Sequence, residues 1–84
     1  MEEAEQAIRE ELQEDIENPT LYALLAMALS QQNKPAEAEE AAREAVKMGP
    51  DEDFSHYALA YALLERNRKR EALESIVEAI RVNP

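Results

Sequence analysis

The chain has 84 residues, 19 acids against nine bases, a formal net charge of −10 and no cysteine. At this length it forms one domain with a small core, which neither a disulfide framework nor a thiolate metal site can supplement. The acid surplus repels nucleic acid and anionic lipid headgroups, and a lone histidine, His56, leaves no usual nitrogen-and-sulfur zinc site. No cofactor and no metal are therefore expected, and no nucleic-acid or membrane partner.

The chain opens MEEAEQAIREE, with no basic start and no long apolar run, so it does not read as a secretory signal. No stretch approaches the roughly 20 apolar residues of a membrane span. A cytoplasmic location is the default expectation. The charge is uneven: residues 1–18 carry eight acids and one base, residues 19–52 six acids and three bases, and residues 53–84 five of each.

Alanine, leucine, glutamate and arginine dominate, and no alternating run of β-branched or aromatic residues interrupts them, so the whole chain is predicted helical. The first helix spans Glu2 to Glu17. Its stripe is Ala4, Ile8, Leu12 and Ile16, and it is predicted to act as an acidic cap buried against the second and third helices. Asn18 caps and Pro19 starts the second helix, which ends near Gln32; Asn33 suits the left-handed residue that closes it. Pro35 opens the third, and Gly49 closes it before Pro50. Asp51 or Asp53 caps the fourth, which ends near Arg66 with Asn67 as the turn. The fifth runs from Lys69 to Val82. Connections this short make neighbouring helices antiparallel.

The third and fifth helices end on EAVKMGP (44–50) and EAIRVNP (78–84), one phrase written twice 34 residues apart. Residues 17–50 overlie 51–84 without a gap. Leu25, Ala26, Ala28 and Leu29 fall on Leu59, Ala60, Ala62 and Leu63. Asn33 falls on Asn67, Glu37 and Ala38 on Glu71 and Ala72, and Ala45 and Pro50 on Ala79 and Pro84. A period of 34 built as helix, tight turn, helix is a repeat architecture.

In register and period the chain resembles the tetratricopeptide repeat family. The first repeat answers the family pattern with Tyr22, Leu25, Ala26, Leu29, Ala38, Ala42, Ala45 and Pro50; the second answers with His56, Leu59, Ala60, Leu63, Ala72, Ile76, Ala79 and Pro84. His56 stands where the pattern has a large aromatic, Ala26 and Ala60 where it has glycine, and Ala42 where it has a large residue. The resemblance implies an all-α fold of five helices, with antiparallel hairpins in a right-handed superhelix. The predicted organisation is a capping helix at 1–17, one repeat at 18–50 and a second at 51–84.

The resemblance also implies that the first helix of each hairpin lines a concave binding face. On the fourth helix that side carries Phe54, Tyr57, Tyr61 and Leu64; its equivalents on the second are Thr20, Ala23, Met27 and Ser30. The candidate groove is thus Ala23, Met27, Phe54, Tyr57, Tyr61 and Leu64, aromatic at the second repeat and small at the first. Some members of the family hold a peptide C-terminal carboxylate with Lys and Asn at such places. Here Ala23, Met27, Tyr57 and Tyr61 stand there, which argues against that mode. The competing reading is that an all-round apolar helix is simply packed between neighbours.

RNRKR at 66–70 is the one basic cluster, and Arg66, Arg68, Lys69 and Arg70 form a secondary candidate patch for an acidic surface such as the first helix of another copy. The alternative is a solvated turn with Glu65–Lys69 and Arg70–Glu74 pairs. It lacks interleaved aromatics, so nucleic acid is not the expected ligand. His56 has no cysteine, serine or glycine-rich motif in register with it and reads as a packed imidazole, not a catalytic base. The acids of the first helix lack the loop that calcium prefers. The function expected is non-enzymatic protein–protein interaction. The alternative is a structural fragment of a longer repeat protein, favoured by the ending at Val82-Asn83-Pro84 without a polar capping helix, or a module that self-associates. Leu73, Ile76, Val77 and Ile80 give the fifth helix more apolar residues than one buried stripe needs, which predicts self-association through it.

Overall fold

Strong helix formers separated by proline and asparagine stops leave the backbone few alternatives, and the computed structural model, which describes residues 2–83, follows them. Its helices are α1 (Glu2–Glu14), α2 (Pro19–Gln31), α3 (Pro35–Met48), α4 (Asp53–Glu65) and α5 (Lys69–Val82). Met1 and Pro84, the final residue of the second repeat's pattern, lie outside the described residues.

The local signals act as chemistry dictates. The Asn18 side chain accepts from the Thr20 and Leu21 backbone N–H groups at 3.0 and 3.3 Å, two of the orphan donors of a helix start. Asn33 and Asn67 adopt φ of 62° and 63°, the left-handed conformation in which a short amide side chain is tolerated. After each, the next N–H returns to a leucine carbonyl, Lys34 to Leu29 at 3.0 Å and Arg68 to Leu63 at 2.9 Å. The two hairpin turns are thus copies of each other. Gly49 closes α3 with φ of −133°, so conformational freedom is not why glycine stands there. A Cβ at Gly49 would meet the Pro19 ring at 2.9 and 3.0 Å and Glu52 Cγ at 2.9 Å. The glycine lets the junction into the second repeat pass against the start of the first.

Two boundaries differ from the sequence reading. Helix α1 stops at Glu14, and Ile16 lies beyond it in a turn, 61% exposed instead of buried. Ala4 is exposed too, so the α1 stripe is Ile8 and Leu12 alone. Neither aspartate caps α4: Glu52 holds that position without a side-chain bond, and the Asp53 carboxylate accepts from the Asn83 amide at 2.9 Å.

Each hairpin packs on itself, α2 with α3 and α4 with α5. The hairpins stack through α4, which lies on both α2 and α3. Helix α1 packs on α2 alone, not on α2 and α3 as the cap reading expected. Its contact with α2 corresponds, one period earlier, to that of α3 with α4. The sequence carried the signal: EAEQAIR at 3–9 and EAEEAAR at 37–43 are again 34 residues apart.

Of the 17 buried hydrophobic residues, 12 are alanine and five are Leu12, Leu25, Leu29, Leu59 and Leu63. Small residues let the helices approach closely. Ala38, Ala45, Ala72 and Ala79 are wholly buried at these crossings, where a longer side chain would force the helices apart. The thinnest dimension, 16 Å, is that of two helix layers. The first helices α2 and α4 form one layer, and α1, α3 and α5 the other.

Candidate functional site

The side chains of α4 that escape burial fall on one stripe. Phe54, Tyr57, Tyr61 and Leu64 are 38–49% exposed, while Ser55, His56, Ala58, Leu59, Ala60, Ala62 and Leu63 are buried. At helical pitch the four exposed residues occupy an arc of about 80°. The sequence reading placed all four on one binding face; they share one side of α4, but what covers that side divides them.

The matching stripe on α2 is covered differently. Ala23 is wholly buried and Ser30 nearly so, Met27 is half-buried, and Thr20 and Gln31 are exposed. Ala23, a candidate groove residue, is therefore part of the core and is out of a ligand's reach. The comparison divides the stripe. Ala23 and Ser30 lie on the side of α2 that α4 covers, so their equivalents Tyr57 and Leu64 lie on the side of α4 turned toward the end of the stack. Conversely, Leu24 on α2 is exposed while its equivalent Ala58 is buried against the preceding hairpin. Between these edges runs the face that neither neighbour covers, with Thr20, Met27 and Gln31 on α2 and Phe54, Tyr61 and Glu65 on α4. The apolar part of that uncovered strip is Met27, Phe54 and Tyr61, with Thr20, Gln31 and Glu65 at its margins.

The basic turn is largely committed to the fold. Glu39 of α3, buried, accepts from Arg43 Nε at 2.8 Å, from Arg66 at 2.8 Å and from Arg68 at 3.2 Å. Burial pushes its carboxyl up, but hydrogen bonds from Arg43 and Arg66 and the charges of Arg43 and Arg68 outweigh it, and the pKa lies below the ordinary value. The ion pairs of this turn run to Glu39 and Glu71, not between Glu65 and Lys69 or Arg70 and Glu74. Of the proposed patch, Arg66 and Arg68 are thus clamped, and Lys69 and Arg70 stand exposed.

One period earlier the clamp recurs on α1. Glu5 accepts from Gln32 at 2.7 Å and from Arg9 at 2.7 Å, with Lys34 at 4.0 Å. The Gln32 bond, then the Arg9 bond, hold the Glu5 carboxyl below its usual range. Sequence reasoning missed both clamps, since it looked for partners three or four residues away and these lie 27 and 29 residues apart.

His56 is packed in the core, and its Nε2 lies 2.8 Å from the Pro50 carbonyl, an acceptor, so this nitrogen carries the proton. Open grooves on the opposite side are also related by the repeat: Arg9, Tyr22, Leu25 and Glu40 line one, and Arg43, His56, Leu59 and Glu74 the other. Among the described residues no cluster of three or more metal-ligating side chains occurs, and no helix is long and apolar enough to cross a membrane.

The family model for the tetratricopeptide repeat matches residues 19–52 and again residues 55–84. No curated protein matches the chain.

Proposed function

The chain belongs to the tetratricopeptide repeat family, and on that premise we propose that it holds an apolar helix or extended segment of a partner protein across Met27, Phe54 and Tyr61. Arrays of this family present a concave surface to other proteins. One observation carries the finer reading: Phe54 and Tyr61 are two large aromatics, seven residues apart on α4, 38% and 40% exposed on a side that neither neighbouring helix covers. Aromatic rings with a polar edge supply contact area at little entropic cost, and Met27 adds an adaptable neighbour. The partner is held by burial, so its binding changes little with ionic strength.

The test compares the chain with its Phe54→Ala, Tyr61→Ala double variant. Partners captured by the first and lost by the second, at equal helicity and across a wide range of salt, support the groove. Capture that persists in the variant and falls steeply with salt moves the site to Lys69 and Arg70. A variant that unfolds shows the aromatics to be core.

A further inference from the structure

The 34-residue register shows which side of the second hairpin would be covered if another helix lay there. On the first hairpin, whose two helices both pack against α4, Ala23 and Ser30 of α2 and Glu39 and Ala42 of α3 are buried, and Val46 is half-buried. The equivalents on the second hairpin are Tyr57 and Leu64 of α4 and Leu73, Ile76 and Ile80 of α5. Every one is larger or more apolar than its counterpart, save that Tyr57 carries a hydroxyl. Four of them are 44–62% exposed, and Val77 at their border is 62% exposed. This is one continuous apolar face of several hundred Å², at the upper end of what a monomer leaves open.

We infer that this face pairs with the same face of a second copy of the chain, giving a closed two-fold dimer. Two observations choose this occupant. First, charge: residues 53–84 carry five acids and five bases, whereas residues 1–18 carry eight acids and one base. Through the near-neutral α5 end two chains of net charge −10 can meet with little net repulsion, and pairing there sends both acidic ends apart. Second, the clamp: at the two earlier equivalents of Leu73, Glu5 and Glu39 receive polar side chains from the next hairpin's turn, Gln32 in one case and Arg66 and Arg68 in the other. A hairpin built like these would bring a polar side chain over Leu73. A two-fold axis instead sets this apolar face against the same apolar face of the second copy, which is what Leu73, Ile76 and Ile80 require.

Sedimentation equilibrium of the 84-residue chain from micromolar to millimolar concentration tests this. The expected result is a monomer–dimer equilibrium with no larger species. Leu73→Glu introduces the acid that positions 5 and 39 already bear on α1 and α3, and it should weaken the dimer about tenfold or more by burying an unpaired carboxylate of each chain in an apolar interface. Its circular dichroism should match that of the parent chain. The Phe54→Ala, Tyr61→Ala variant should dimerise normally, because those residues lie on the uncovered strip; this separates the dimer from the groove. A monomer at every concentration, growth into open-ended polymers, or a dimer indifferent to Leu73→Glu would each overturn the inference.

Discussion

Replacing Glu39 by alanine removes the acceptor that joins the two hairpins. The Glu39 side chain is 9% exposed, and the side chains of Arg43, Arg66 and Arg68 are 50%, 34% and 42% exposed. Charge-assisted hydrogen bonds are worth about 1.5–3 kcal/mol each when sheltered, but arginines this wet are rehydrated once freed, so each is discounted to about 1 kcal/mol. Alanine's better helix propensity returns a few tenths. The net loss is about 2.5 kcal/mol, or roughly 10–20 °C in melting temperature for a domain of this size. Thermal unfolding followed by circular dichroism reads it. The same bonds set a pH dependence. Because the folded carboxyl titrates below its ordinary value, the unfolded chain binds more protons on acidification. The clamp's contribution is present above about pH 4.3, the usual glutamate range, and is lost as pH falls through the folded value. Glu39→Ala should therefore narrow its deficit against the parent chain in acid. An unchanged melting temperature at neutral pH, or a deficit that persists in acid, refutes the view that the clamp joins the hairpins energetically.

Leu12→Ala should cost about 2 kcal/mol, the low end for a leucine at the margin of a core, whereas Ile16→Ser should stay within about 0.5 kcal/mol; chemical denaturation of both separates a helix ending at Glu14 from a cap reaching Glu17. Gly49→Ala should destabilise by about 1–3 kcal/mol, because the new Cβ meets the rigid Pro19 ring and backbone conformation offers no relief. A neutral result in thermal unfolding would show that the repeat junction can open without loss.

The sequence by itself determined the helices, the hairpin turns and the 34-residue period. Those signals are local: Asn18 bonds to N–H groups two and three residues away, Asn33 and Asn67 need only their own backbone, and proline acts on its own turn. The aromatic stripe of α4 was legible for the same reason, because helical pitch alone puts Phe54, Tyr57, Tyr61 and Leu64 on one side. Tertiary structure decided what each side faces. Ala23 and Tyr57 hold the same place in their repeats, yet one is core and the other surface, since α4 lies over the first and no described helix over the second. The same dependence on distant neighbours made Glu39 a junction between hairpins, divided the stripe into an uncovered strip and an end face, and set α1 on α2 without α3. Burial is a property of what lies 20 to 40 residues away in the chain, and no window of a few residues contains it.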